Sequence, residues 1–410
     1  MASRTTPVPA PYDVAALRRA EFPWAANTIY LNHAGIGPIP ERARLAIEAY
    51  TRERATPVTL SDDRLMGVLA DGRAKAARLI GADPGEIALA TNTSFGLNLA
   101  ARMLPLSPGD VVLVSDQDFP ANVFAWRQLA DRGVRLELLP RTGDGWPDEL
   151  RMMERMQDAR VRVLAVSQVE FHTGYRLDLE RLGAAARASG TFFVVDAIQA
   201  LGHVAFDVRA TPVDILACGA QKWLLSPWGS GFMYVRRELI ESLTSPLAGW
   251  NAYEGTENFS TLVDYSGRLR GDARRFELWT LPYQDILGMN LALDLLHELG
   301  LSAIEAHVAA IGRPVLDWAR RAGVRLRSPE GPRSAGIIAL DADDVPGGLA
   351  ALRGAGVAAV VREGGLRLSP HCYNTVEEME QVVHLLERSL AHSPSLRSGP
   401  RRSGRRLRSG

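Results

Sequence analysis

The sequence predicts an α/β fold: a large unit built on a mostly parallel seven-stranded sheet flanked by helices, followed by a smaller α+β C-terminal unit. Three observations lead there. Seven short β-rich apolar runs alternate with helical patterns through the middle of the chain. An irregular stretch from about residue 249 to 276 interrupts that alternation, and a second run of elements begins at ILGMNLALDLLHELG. The length of 410 residues, 46% apolar and 23% charged, leaves room for two packed cores.

The runs are IALA at 87–90, VVLVS at 111–115, VRLELL at 134–139, VRVLAVS at 161–167, TFFVVD at 191–196, DILACG at 214–219 and GFMYV at 231–235. Alternation of this kind argues for a sheet covered by helices on both faces. Ligands of such sheets bind beyond the carboxyl ends of the strands. The polar residues to inspect are therefore Thr93, Ser94, Asp116 to Phe119, Asp196, Gln199 and Lys222.

The expected organisation is an N-terminal segment at 1–40 packing near the site, a large domain at 41–255, a small domain at 256–392 and a tail at 393–410. The tail carries six arginines and no acid among Gly, Ser and Pro, too little apolar area to order itself. With 47 basic and 47 acidic side chains, the protein lacks the electrostatic footprint of a nucleic-acid binder, and small-molecule chemistry is the better expectation. Two cysteines, Cys218 and Cys372, do not make a disulfide scaffold at this size. No signal-like or membrane-length apolar segment is found, so a cytoplasmic protein without membrane, nucleic-acid or metal partners is expected.

Three pieces carry chemistry. FVVDAIQALG puts Asp196 at the end of an apolar strand with Gln199 three residues on. A carboxylate there is either a helix N-cap or the partner that keeps a pyridine nitrogen protonated. ACGAQKWLLSPWGSGFMYV puts Lys222 after a strand and before apolar and aromatic residues, in a chain that otherwise uses Arg almost throughout. A lysine is usually a surface charge, but in such surroundings its pKa falls and it suits Schiff-base formation. ATNTSFGLNLAARML offers Thr93 and Ser94 at a strand exit that opens a helix, which is either a plain cap or a phosphate cradle.

Together with YLNHAGIGPIP from Tyr30 and LRLSPHCYNT at 366–375, these pieces resemble the class-V aminotransferase family, which includes cysteine desulfurases, isopenicillin N epimerase-like proteins and kynureninases. The likeness runs from about Tyr30 to about Leu390. It implies an aspartate aminotransferase-like fold, pyridoxal 5′-phosphate as cofactor and a homodimer with shared active sites. By the resemblance, Lys222 forms the Schiff base, Asp196 pairs with the pyridinium, Gln199 approaches the phenolic oxygen, Thr93 and Ser94 hold phosphate, and Phe119 stacks on the ring. Arg367 would grip the substrate α-carboxylate, and Thr280 would reach the phosphate of a neighbouring subunit. The resemblance also puts Asn32, His33, Glu170, Phe171, His172 and Trp279 around the substrate, with His33 and His172 as candidate acid/base groups.

Three positions depart from the family's pattern. Trp279 replaces a small glycine, Gly219 replaces a phosphate-binding serine, and Gln221 replaces the histidine before the lysine, which shifts phosphate anchoring toward Thr93, Ser94 and Gln221. The expected chemistry is proton loss at Cα of a cofactor-bound amino acid, with Lys222 as base. VREGGLRLSPHC has no cysteine between Arg362 and Arg367, so a desulfurase is disfavoured. A lyase acting on a cysteine-derived or S-conjugated amino acid is the first expectation. An epimerase-like, decarboxylating or deaminating enzyme or an aminotransferase is the alternative, and a non-catalytic binding protein the remote one.

Overall fold

The computed structural model describes residues 11–56, 61–247, 249–278, 280–341 and 344–390. Trp279 and the Arg-rich tail from Ser393 lie outside the described residues, as do residues 1–10. In chain order the strands are β1 (Ile29–Tyr30), β2 (Ile87–Leu89), β3 (Val111–Ser115), β4 (Arg135–Leu139), β5 (Val161–Ser167), β6 (Phe192–Asp196), β7 (Ile215–Gly219), β8 (Gly231–Val235), β9 (Arg325–Leu326), β10 (Ile338–Asp341), β11 (Val357–Ala358), β12 (Val360–Arg362) and β13 (Gly365–Leu368).

The seven apolar runs become β2 to β8 and join one sheet in the order β2-β8-β7-β6-β5-β3-β4. Strands β3 to β7 run parallel, and β8 is antiparallel to both of its neighbours. Successive side chains of a strand point to opposite faces. Val111 and Leu113 accordingly enter one apolar cluster with Leu164, Val166, Phe193 and Val195, while Val112 and Val114 enter another with Val163, Ala165 and Val194. Both faces are sealed, which is why these strands read as unbroken apolar runs.

A second sheet, of order β12-β13-β10-β9, is antiparallel throughout. Ile338, Leu340, Leu366 and Leu368 pack with Ile311, Val315 and Trp318 of the helix Leu301–Ala322 and with Met379, Val382 and Leu386 of the helix Val376–Leu390. The helix Tyr283–Leu299, although it follows the irregular stretch, buries Ile286, Met289 and Leu293 in the central-sheet cluster. This helix thus packs with the first core, as do Ile304 and Val308 of the helix that follows it. Among the described residues no single helix is long and apolar enough to cross a membrane.

The N-terminal segment joins the two parts. Strand β1 pairs with β11, Asn32 bridges Ser369, and the Gly37 amide donates to the Gln221 carbonyl at 2.8 Å. The connection between β12 and β13 is a two-residue hairpin. Arg362 faces Gly365 across it, and Glu363 and Gly364 have φ of 47° and 81°, the signature of a type I′ turn. Arg327 anchors the turn, donating from Nη1 to the Glu363 carbonyl and from Nε to Asp341, each at 2.5 Å.

Candidate active site

The parallel strands β5, β6 and β7 end side by side, with Ser167 opposite Asp196 and Asp196 opposite Ala217. Their carboxyl ends therefore deliver Ser167, Asp196 and, three residues beyond β7, Lys222 to one edge. Asp196 is 2% exposed. Its Oδ1 accepts from the Ile198 amide at 2.9 Å, and no hydrogen bond from the described residues reaches Oδ2. Burial raises the carboxyl to about 7, against the Ile198 hydrogen bond and the Lys222 charge, while Asp118 adds repulsion. Asp196 caps no helix, so a bound cation rather than a helix end is what would repay its burial.

Lys222 is 8% exposed, its amine makes no hydrogen bond to described residues, and Nζ lies 5.4 Å from the centre of the Phe119 ring. Burial lowers the amine to about 8, opposed by Asp196 and assisted by the charges of Arg367 and Arg362. A buried, unpartnered amine beside a buried carboxylate with a free oxygen fits an aldehyde-bearing pyridine. These two groups are the strongest evidence in the structure that the residues suit pyridoxal 5′-phosphate.

The phosphate end differs in detail from expectation. The N-cap of the helix Thr93–Met103 is Asn92, whose side chain accepts from the Phe95 amide at 2.9 Å. Thr93 is buried, its Oγ1 accepting from the Gly219 amide at 2.8 Å, and Ser94 is exposed in the first turn. A side chain at Gly219 would start 2.6 Å from Gln221 Oε1 and 3.2 Å from the Thr93 amide and hydroxyl. The Gln221 side-chain amide lies in the space that a serine at 219 would take and would have to rotate aside to admit one.

Gln199 is tied at both ends of its amide. Nε2 donates to the Ala34 carbonyl and Oε1 accepts from Trp223 Nε1, both at 2.9 Å. The indole of Trp223 stacks on His203 with ring centres 3.6 Å apart.

On the substrate side, Arg367 is 1% exposed and has no carboxylate within 4.0 Å among the described residues. Nη1 donates to the Phe171 carbonyl at 2.6 Å and Nη2 to Asn32 Oδ1 at 3.4 Å, while Nε has no partner. Burial works against its charge, reinforced by Arg362. A buried guanidinium without a counter-ion calls for an anionic ligand. Phe171 meets Phe119 edge-on with ring centres 5.2 Å apart.

The two histidines differ in what their nitrogens are free to do. His33 donates from Nδ1 to the Ser369 carbonyl and accepts at Nε2 from the Tyr373 hydroxyl, both at 2.7 Å, so neither nitrogen is left for a substrate. Burial also holds its pKa well below the ordinary value. This ring is a strut between the N-terminal segment and the loop after β13, which corrects its expected catalytic role. His172 is buried with an unpartnered Nδ1, and burial followed by Arg141 lowers it to about 4, so it is neutral at neutral pH. Glu170 forms a buried ion pair with Arg141 at 2.6 Å, and burial raises its carboxyl to about 8 against that pull. Thr280 is exposed and has a φ of 60°, costly for a β-branched residue.

Sequence reasoning assigned no role to three residues. Asp118 is buried and accepts from Ser167 Oγ at 2.6 Å, the Ser167 amide at 3.1 Å, Asn122 Nδ2 at 3.0 Å and the Phe119 amide at 2.6 Å, pinning Phe119 to the end of β5. Its position in the strand-end segment 116–119 was the available signal. Arg141 and Trp223 act through Glu170 and Gln199, partners that no local pattern reveals. A separate cleft of about 820 Å³, lined by Arg176, His203, Glu305 and Arg333 among others, includes none of Lys222, Asp196 or Arg367.

The aminotransferase class-V family model matches residues 29–382. The chain belongs to that family. An uncharacterized aminotransferase of Bacillus subtilis is 30% identical over 320 residues, covering 78% of this chain and 83% of the relative. An isopenicillin N epimerase of Streptomyces clavuligerus is 31% identical over 385 residues, covering 88% and 94%. The apo structure of a cysteine desulfurase from Thermococcus onnurineus superposes with a TM-score of 0.83 at 22% identity, covering 94% of this chain and all of that one, which establishes the shared fold. Family members act on small amino-acid substrates, and the cofactor is pyridoxal 5′-phosphate.

Proposed function

We propose that this class-V enzyme removes the Cα proton of an amino acid and expels a β-substituent through sulfur, as a lyase on a cysteine-derived or S-conjugated substrate. Pyridoxal 5′-phosphate, when bound, supplies the electron sink for negative charge at Cα. Asp196 Oδ2 would hold the proton on the ring nitrogen, Thr93, Ser94 and Gln221 would hold the phosphate, and Phe119 would cover the ring. Arg367 would fix the α-carboxylate between Phe171 and Asn32. Lys222 Nζ, lowered to about 8 by burial, would act as the base at Cα.

The observation that carries the choice of reaction is the absence, among the described residues, of a usable thiol in this pocket. Cys218 and Cys372 are 1% and 0% exposed, and burial raises both thiols. The segment leading to Arg367 is a tight type I′ hairpin with no room for a mobile cysteine loop. Protein persulfide formation is therefore disfavoured, although a cysteine desulfurase shares the fold. A thiolate is a good leaving group and needs little help from an acid, which suits a site whose His33 is locked and whose His172 is neutral. Incubating the holoenzyme with S-substituted cysteines tests this: release of thiol, keto acid and ammonia in equal amounts is expected. Keto acid without thiol release would reject the lyase.

Epimerisation is the second reading. Glu170, raised to about 8, can hold a proton at neutral pH, and an isopenicillin N epimerase is among the relatives. Deuterium entering Cα with inversion and without ammonia release would favour it.

A further inference from the structure

Arg362 lies on the strand that pairs with the strand of Arg367. Val360 stands opposite Arg367 across the β12–β13 pair, and Arg362 lies two residues further along β12. Side chains directly opposite one another share a face, so Arg362 and Arg367 are diagonal neighbours on one face, with a spacing of about 7–8 Å. Gly365, directly opposite Arg362, provides no side chain to cover it. Arg362 is exposed, its one hydrogen bond to described residues goes to the Val361 carbonyl at 3.0 Å, and no carboxylate of the described residues pairs with it. Arg327, beside the same turn, is committed to Asp341 and Glu363 instead. The Arg362 charge is near enough to disfavour the charged forms of both Arg367 and Lys222. Arg327 ties down the backbone of the hairpin from which Arg362 issues.

We propose that Arg362 binds a second anionic group, and that the site takes α-amino acids whose side chain ends in a carboxylate. The inference rests on the reading in which Arg367 receives the α-carboxylate. Side chains that issue from positions about 7–8 Å apart can meet two carboxylates of one small molecule, such as those of a cysteine bearing an S-(2-carboxyethyl) substituent. An uncharged side chain of the same length would leave Arg362 in water, at no cost but with no gain.

The test compares S-(2-carboxyethyl)cysteine with its carboxamide isostere on the holoenzyme. Affinity is read from the change in the cofactor's visible absorbance, which reports binding whatever reaction follows, and thiol release is measured in parallel. The wild-type enzyme should bind the carboxylate roughly tenfold more tightly, the scale of one partly exposed charge pair in good geometry. Arg362→Gln should bring the ratio of the two dissociation constants close to one, and Arg362→Lys should keep most of it. Equal affinities in the wild type, no spectral response to either compound, or an unchanged ratio in Arg362→Gln would overturn the proposal. Equal weakening of both compounds by Arg362→Gln would also overturn it, because that pattern belongs to the α-carboxylate. A preserved preference without thiol release would leave Arg362 standing and reject only the lyase.

Discussion

Gly37 packs directly on the backbone of Lys222: a Cβ at position 37 would lie 2.0 Å from the Lys222 carbonyl oxygen. The Gly37 amide also donates to the Gln221 carbonyl at 2.8 Å, so the N-terminal segment braces the turn that presents the lysine. A methyl group there cannot be absorbed by rotating a flexible side chain, since the obstacle is backbone. Gly37→Ala should destabilise the protein by about 1–3 kcal/mol, as overpacking does. Because the displaced residues are Gln221 and Lys222, the holoenzyme should lose more melting temperature than the cofactor-free form. Equal losses in both forms would show that the contact is only packing.

Lys222→Ala should lower turnover by about 10²–10⁴-fold or more, since it removes the proposed base and the proposed covalent anchor together. Borohydride reduction of the wild-type holoenzyme should fix the cofactor on the peptide containing Lys222, and mass spectrometry reads the site. Reduction onto Lys75 instead would remove the central assignment.

The lowered pKa of Lys222 gives a pH prediction with a definite sign. Its amine titrates near 8 in the cofactor-free protein because burial penalises the charged form. The neutral amine captures aldehydes, so the rate of reconstitution with pyridoxal 5′-phosphate should rise with pH up to about 8 and then level off. The folded pKa lies below that of the unfolded chain, near 10.4. Between those values the unfolded chain binds more protons, so this group makes the cofactor-free protein more stable as pH rises from about 8 to about 10.4. A rate that keeps rising to about pH 10, as for an exposed lysine, would contradict the burial argument.

The central sheet was legible because parallel strands covered on both faces must be apolar at successive positions, and β3 and β5 match their runs at 111–115 and 161–167 residue for residue. Asp196 and Lys222 were legible because strand ends are local features of the sequence. What the sequence concealed depends on distant partners. His33 looked like an acid/base group until Ser369 and Tyr373, more than 330 positions away, were seen to hold both of its nitrogens. Asp118 looked like one polar residue among several, and only the arrival of Ser167 beside it reveals a buried junction. The helix Tyr283–Leu299 follows an irregular stretch but packs backward on the first core, because its apolar face fits the helices at 41–54 and 62–80.

The last prediction concerns Thr280 and assembly. Thr280 is exposed with a φ of 60°, a conformation that strains a β-branched residue, yet the segment leading to it is firmly held. Glu277, fully buried, takes two hydrogen bonds from Arg73 at 2.8 and 2.6 Å and one from the Leu89 amide at 2.8 Å. A strained residue that follows a braced Glu277, with no partner among the described residues to explain it, suits a contact with a second copy, in which each Thr280 hydroxyl would serve the partner subunit's cofactor phosphate. The proposed working unit is therefore a homodimer. Thr280→Ala should weaken cofactor retention by about 1–3 kcal/mol, the range for one hydrogen bond to a charged group. Thr280→Gly should weaken it similarly while relieving the backbone, so its chain should be no less stable than the wild type. A mixed dimer of Lys222→Ala and Thr280→Ala chains separates the two contributions, because one of its two sites combines an intact Lys222 with an intact Thr280 from the other chain. That mixed dimer should recover activity above either parent, approaching half of wild type. An active monomer in light scattering, or no recovery on mixing, would reject the shared site while leaving Lys222 and Asp196 untouched.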